Sequence, residues 1–385
     1  MTAYRGRVGL LTYSTRPRGG VVHTLAVAEA LVAAGVDVHV FGLGGEEKRF
    51  FRPTTVPFTL FPAPEGTASL EEKVFASIDS LATGLAAVAD RFDVLHAQDC
   101  ISARAAARVR DVGAAVTVVR TVHHVDDFTT AALIECQQRA IVEPDHVLVV
   151  SEFWRRVLRA DYGVDARVVP NGVDPARFPP IDPARSAALR GAIAAPDRFV
   201  FLSIGGIEPR KGSKTLFAAL GLLRGRGHRP VLAIVGGHSF RDYAPYREEA
   251  LATLPGLGLR LGTDVVELGT VADADLAAWY RAADALAFPS ITEGFGLAVI
   301  EALAADLPVV ASDLPVFREF LVDGRDALLP AAGDAAKLAD ALQRVMTDER
   351  LRAALIEGGR AVVPSFTWTA SAARHIELYR EFHPV

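Results

Sequence analysis

The stretch Ala285-Leu-Ala-Phe-Pro-Ser-Ile-Thr-Glu-Gly-Phe-Gly-Leu-Ala-Val-Ile-Glu-Ala-Leu-Ala-Ala305 reads as one strand, one glycine loop and one helix. Residues 285–288 form a short apolar run stopped by Pro289. A strand with no polar alternation is covered on both faces, the signature of a parallel sheet. Gly294 and Gly296 then break the chain, and 297–305 is apolar throughout at helical length. Strand, loop and helix in that order are half of a βαβ unit, and its partners lie on either side.

Working outward, strands are expected at 199–204, 231–235, 265–268 and 309–311, with helices at 214–224, 273–282 and 335–346 between and after them. The same rhythm occupies the first half. Strands are expected at 8–12, 36–41, 58–61, 94–96, 115–121, 147–150 and 167–169, and helices at 21–34, 69–89, 102–111 and from Ser151 onward. Between the halves, Pro170 to Pro175, Pro179, Pro180 and Pro183 read as turn and linker. The expected fold is α/β, with a first doubly wound domain over 1–175 and a second over 185–367. The final stretch, 368–385, carries one amphipathic helix long enough to cross back onto the first domain.

Composition narrows the function. The chain has 385 residues, half of them hydrophobic, and a net charge of −5. No long basic run is present, so nucleic acid is not an expected partner. Two cysteines, Cys100 and Cys136, suit a reducing compartment. The first apolar run is too short for a signal segment, and no window reaches the ~18 apolar residues of a membrane span. A soluble cytoplasmic protein is expected. Arg155, Arg156 and Arg159 give one helix a basic face, which leaves peripheral membrane contact open.

Four clusters carry chemistry. Glu293 and Glu301 flank the glycine loop with seven residues between them. Bare backbone at a helix start suits a phosphate, and carboxylates accept hydrogen bonds from sugar hydroxyls. Glu301 falls among Leu297, Val299, Ile300 and Leu303, so it needs a partner. Gly205-Gly-Ile-Glu-Pro-Arg-Lys-Gly212 follows a strand, and Arg210 with Lys211 at its end suit either a diphosphate or a solvated turn with two surface cations; Ser213 is a candidate helix cap. This loop has neither the GxGxxG pattern nor a Walker lysine. Gly19-Gly20 gives bare backbone at the start of the first helix. His123 and His124 end a strand, with Asp126 and Asp127 beyond. Adjacent strand residues point to opposite faces, which disfavours a shared metal and leaves a binding, catalytic or structural histidine.

Asn171-Gly-Val-Asp174, the Gly-x5-Lys-Gly element ending at Gly212, Ala283-Asp284, Pro289-Ser290, Glu293-Gly-Phe-Gly-Leu, Glu301-Ala-Leu-Ala and Pro308-Val-Val-Ala-Ser312 occur in that order. Together they resemble glycosyltransferase family four, and the resemblance spans essentially the whole chain. It implies a GT-B fold, two Rossmann-like domains facing a central cleft, and metal-independent transfer of a hexosyl group from a nucleotide-diphosphate sugar, UDP- or GDP-linked, to a hydroxyl acceptor. It implies retention by front-face attack and no cofactor beyond the donor. Lys211 would bind the diphosphate. Glu293, with the backbone of Gly294, Phe295, Gly296 and Leu297, would hold the transferred sugar, and Glu301 the ribose. His123 would contact the sugar, and Gly20 the donor phosphate or the acceptor. Gly205 opens the diphosphate element, where the family usually places arginine next; here Gly206 stands there, and Arg210 is the nearest replacement. The Glu208-Pro-Arg-Lys-Gly212 run is similar to that of a bacterial mannosyltransferase branch. Two other functions use the same fold: a sugar-nucleotide epimerase and a non-catalytic sugar-nucleotide binder. The acceptor loops, 46–57 and 62–69, carry no pattern that names a substrate.

Overall fold

The computed structural model describes residues 4–44, 49–66, 69–236 and 243–384. Residues 46–48 and 67–68 of the two acceptor loops lie outside the described residues. The chain divides into two compact units, Met1–Gly172 with Thr367–Val385, and Val173–Phe366.

The first unit holds a seven-stranded, all-parallel sheet. Its strands are β1 Arg7–Leu11, β2 Asp37–Gly44, β3 Phe58–Pro62, β4 Val94–Ala97, β5 Thr117–Val122, β6 His146–Val149 and β7 Arg167–Val168, in the order 3-2-1-4-5-6-7. The second holds a five-stranded parallel sheet, β8 Val200–Ile204, β9 Val231–Val235, β10 Val265–Gly269, β11 Ala285–Phe288 and β12 Val309–Ala311, in the order 10-9-8-11-12. Each strand is short and apolar because helices cover both of its faces, and β8, β9, β11 and β12 have almost no exposed residue. Both sheets are doubly wound. The strand order reverses between β1 and β4 in one and between β8 and β11 in the other. Ligands of open α/β sheets bind at the carboxyl ends of strands flanking such a reversal.

Helix Trp368–Phe382 belongs to the first unit and packs on helix Gly19–Ala33. Ala372, Ile376, Leu378 and Tyr379 join its core beside Val8, Leu10 and Leu25. The second core gathers Phe201, Phe217, Leu220, Leu232, Ile234 and Leu342. Among the described residues, no helix is long and apolar enough to cross a membrane.

Two local expectations are corrected. The proline-rich segment is not all linker: helix Pro183–Ala192 starts there, with Asp182 capping Ala184 N and Pro183 in the first turn. Proline suits that position because the missing N–H has no helical partner there in any case. Ser213 does not cap the following helix. Gly212, at φ 66°, is the cap residue of Ser213–Gly225, and the Ser213 hydroxyl instead bonds Glu208 N (3.2 Å) and O (3.3 Å).

Candidate functional site

In the second unit, two loops flank the strand-order reversal. The loop after β8 turns through Gly205 (φ 117°) and Gly206 (φ 79°), both in backbone that disfavours any other residue. A Cβ on Gly205 would lie 2.5 Å from Cε of Lys211, so the missing side chain is what lets Lys211 fold back across the loop. A Cβ on Gly212 would meet the Pro289 carbonyl oxygen at 2.1 Å, so the loop after β8 lies directly against the loop after β11. Gly206 has a backbone reason for being glycine where arginine was expected: its positive φ would strain an arginine.

Glu293 is the focus of this site. Its Oε1 accepts hydrogen bonds from Lys211 Nζ (2.8 Å), Arg210 Nη1 (3.0 Å) and Ser290 Oγ (2.9 Å). Lys211 Nζ also lies 4.4 Å from the centre of the Phe288 ring. Burial pushes the Glu293 carboxyl up, but Lys211, Arg210 and the bonds from Lys211 and Ser290 outweigh it and hold it at about 2. Burial pulls the Lys211 ammonium down, Glu293 opposes this, and Arg210 adds to it. Glu293 is therefore a carboxylate at neutral pH, with two basic side chains on one of its oxygens at the carboxyl end of the sheet. Glu208 stands 3.9 Å from Arg210.

Glu301 lies on helix Leu297–Ala304, 8 % exposed. Tyr280 Oη donates to its Oε2 at 2.8 Å, and Arg177 Nη1 lies 3.5 Å from its Oε1. Asp273 orients that arginine from the other side, at 2.6 Å. Burial pushes the carboxyl up against the pull of Arg177 and the Tyr280 hydrogen bond. Gly296, at φ 91°, starts the helix; a Cβ there would strike Phe317 at 2.4 Å. The Phe295 side chain is buried and stacks on Phe320, 5.3 Å between centres, so only its backbone is left for a ligand. Gly294 and Leu297 lie in the same loop and helix start.

The first unit builds a site of different character. Gly20, in the first turn of helix Gly19–Ala33, has open space where a side chain would be, with Gln98 O nearest at 3.9 Å. His123 follows β5 and turns inward, where its Nε2 lies 3.3 Å from Gln98 Oε1. His124 is exposed, 3.5 Å from Asp126. The two histidines thus part, one inward and one toward solvent. Behind His123 lie three buried histidines: His23 (rings 4.6 Å apart, edge to face), His96 and His375. His23 Nδ1 meets Asn171 Oδ1 at 2.8 Å; His96 meets Tyr379 Oη at 2.6 Å and Thr121 Oγ1 at 2.8 Å. Burial holds His123 down to about 3 and His375 to about 4, and pulls His23 and His96 well below the usual range. All four rings are neutral at pH 7. Among the described residues, no group of three or more His, Cys, Asp or Glu is arranged to hold a metal ion.

The structure therefore brings Gly205, Arg210, Lys211 and Glu293 together in one unit, and Gly20 and His123 to one sheet end of the other. Ser290, Tyr280, Arg177, Gln98 and His23 complete these sites. The sequence offers Ser290 only within the Pro289-Ser290 element, with no role of its own, and does not point to the other four, although the isolation of Glu301 among apolar residues called for a partner such as Tyr280.

Residues 187–362 match the family model described as glycosyl transferases group 1, and residues 17–177 match glycosyltransferase family 4. The chain is 30 % identical over 381 residues to a phosphatidyl-myo-inositol mannosyltransferase of Mycobacterium leprae, covering 97 % of this chain and 96 % of the relative. It is 27 % identical over 395 residues to a D-inositol 3-phosphate glycosyltransferase of Paenarthrobacter aurescens, covering 94 % and 93 %. Among solved structures it resembles Anabaena HepE in complex with UDP-glucose, with a TM-score of 0.83, 19 % identity and coverage of 98 % and 100 %. Sucrose-phosphate synthase from Thermosynechococcus elongatus gives a TM-score of 0.82 at 23 % identity, covering 98 % and 99 %. The fold shared with these structures is GT-B.

Proposed function

The chain belongs to glycosyltransferase family four, and from that premise we propose that it moves a hexosyl group from a nucleotide-diphosphate sugar to a hydroxyl acceptor, with retention and without a metal. The observation that carries this reading is the convergence of Lys211, Arg210 and Ser290 on one oxygen of Glu293 at the strand-order reversal of the second sheet. A leaving diphosphate develops negative charge, and fixed cations stabilise it without reorganising at the moment of reaction. Lys211 and Arg210 fill that role, assisted by the N-terminus of helix Leu297–Ala304. Glu293 and the backbone of Gly294 to Leu297 take the transferred sugar, Glu301 the ribose hydroxyls, and His123 a sugar hydroxyl. Gly20 leaves room for donor phosphate or acceptor. In the front-face route the bond from the anomeric carbon to the phosphate oxygen breaks. The acceptor oxygen bonds to the same face, and its proton passes to the departing phosphate.

UDP- and GDP-sugars are the donors to test first. Relatives named for phosphatidyl-myo-inositol and D-inositol 3-phosphate make inositol-type polyols the first acceptors to offer. The test is a thermal-shift screen against UDP, GDP, ADP and their sugars, followed by turnover with each binder. A ligand at 100 times its Kd stabilises by about 2.7 kcal/mol. Product with the donor's anomeric configuration, formed equally in EDTA, is expected. Loss of activity in EDTA refutes metal independence, and inversion refutes the front-face route. Conversion of the nucleotide sugar without acceptor would indicate an epimerase. Binding with no nucleotide released across the acceptor series would indicate a sensor.

A further inference from the structure

One polar side chain at the carboxyl end of the first sheet has no part in the chemistry just described. Gln98 follows β4, is 3 % exposed, and places Oε1 3.3 Å from His123 Nε2. Its own Nε2 is buried with no partner among the described residues. A buried amide with an unmet donor is unfavourable, and an apolar residue of the same length would avoid that cost. Packing alone therefore does not account for a glutamine here.

The effect of Gln98 falls on His123. A carboxamide oxygen only accepts, so the ring nitrogen facing it carries the proton, and the other nitrogen keeps its lone pair. His23 packs against the ring with centres 4.6 Å apart and is itself tied to Asn171. The charged and titratable groups around His123 come from every neighbouring element. They are His23 on helix Gly19–Ala33, His96 on β4, His375 on helix Trp368–Phe382, and Arg120 and His124 on its own segment. None is a carboxylate. The ring therefore stays neutral, and only a neutral ring has a tautomer to be set.

We propose that Gln98 is a positioning residue for His123: its oxygen takes the Nε2 proton, locks the imidazole as the Nε2–H tautomer, and leaves Nδ1 as the acceptor offered to a sugar hydroxyl. This rests on the reading of His123 as a sugar contact. The same segment that ends β4 thus orients the histidine that ends β5.

The test uses the full chain with Gln98→Leu, Gln98→Glu and His123→Ala. Two-bond proton–nitrogen spectra of histidine-labelled protein, assigned with His123→Ala, report tautomer and titration independently of turnover. Gln98→Leu is expected to give mixed tautomers at His123 and a kcat lower by about 10–100-fold, the scale of loss when the partner orienting a metal-bound histidine is removed. Tm and affinity for the free nucleoside diphosphate should not fall. Gln98→Glu keeps the acceptor and adds a charge that favours imidazolium. It should raise His123 above its parental value of about 3 and shift the acidic limb of the pH–rate profile to higher pH than in the parent. An unchanged tautomer in Gln98→Leu, or kcat within twofold of the parent, overturns the proposal. If His123→Ala transfers sugar at the parental rate, the sugar-contact reading fails, and the spectra still decide whether Gln98 sets the ring.

Discussion

The two units repeat one plan with opposite chemistry. Each presents, at its own strand-order reversal, a glycine-bearing loop from one strand and a polar loop from the next: Gly20 and Gln98 after β1 and β4, Gly205 and Glu293 after β8 and β11. The second unit fills this place with ions, Lys211 and Arg210 on Glu293. The first fills it with neutral donors and acceptors, His123 on Gln98 backed by His23, His96 and His375. The difference follows from what each is proposed to meet. A departing diphosphate needs fixed positive charge, whereas a sugar hydroxyl needs an oriented acceptor and no net charge. Shared topology fixes where a ligand sits, and the side chains set its electrostatics.

The largest effect should come from removing a fixed charge. Lys211→Ala is expected to lower kcat by roughly 10²–10³-fold, as loss of one stabilising donor does elsewhere. Arg210 and Ser290 still bond Glu293, so the protein should stay folded. Turnover within tenfold of the parent would break the assignment of the leaving-group site to the second unit.

Glycines at the two reversals sharpen the contrast. Gly205→Ala puts a methyl 2.5 Å from Lys211 Cε on backbone at φ 117°, so the lysine must move. A displacement of about 1 Å can cost on the order of 10²-fold, and a loss of that size, approaching that of Lys211→Ala, is expected. Gly20→Ala meets nothing closer than Gln98 O at 3.9 Å. Its Tm should match the parent, and any loss of activity then reports a ligand against Gly20. A fall in Tm for Gly20→Ala comparable to that for Gly205→Ala would erase the distinction.

The strands of both sheets were legible because each is a short apolar run punctuated by glycine or proline, and all begin within about two residues of expectation. Several helices were not. Helix Pro183–Ala192 hides behind prolines that look like a linker. Helix Glu349–Val362 contains Gly358 and Gly359, residues that disfavour a helix interior; a Cβ on Gly358 would strike the Arg325 carbonyl oxygen at 2.1 Å, so the glycine serves a long-range contact. The site divides the same way. Lys211 and Glu293 stand in loops whose spacing is informative. Gln98, His23, Tyr280 and Arg177 acquire meaning only from partners 21 to 148 residues away, which no local pattern encodes.

Acid should separate the units next. The histidines have folded pKa values below the ordinary 6.5, His123 at about 3 and His375 at about 4. Below pH 6.5 the unfolded chain binds more protons at these sites, so stability falls as pH drops from 6.5 toward 3. Glu293 is lowered from 4.5 to about 2, so the stability it contributes is lost only below about pH 4.5. Between pH 6.5 and 4.5, then, the first unit should loosen while the second holds. Amide exchange at pH 7 and 5, corrected for intrinsic rates, should show protection falling in β4, β5 and helix Trp368–Phe382 but not in helix Ser213–Gly225. His375→Gln should flatten that slope. Equal loss in both units would contradict the neutral-histidine description.

The smallest effect tests whether a buried carboxylate in the ionic unit serves binding rather than turnover. Tyr280→Phe removes the 2.8 Å hydrogen bond to Glu301 Oε2 and leaves Arg177 beside Oε1. An unsatisfied buried acceptor costs about 1–3 kcal/mol, part of which Arg177 offsets, so a rise in donor KM of about 5–10-fold is expected. A ribose contact is the same in the ground and transition states, so kcat should not change. Measured with the preferred donor, a fall in kcat as large as the rise in KM would mean that Glu301 acts on the bond being broken. Glu301 would then lie against the transferred sugar beside Glu293, and not against the ribose.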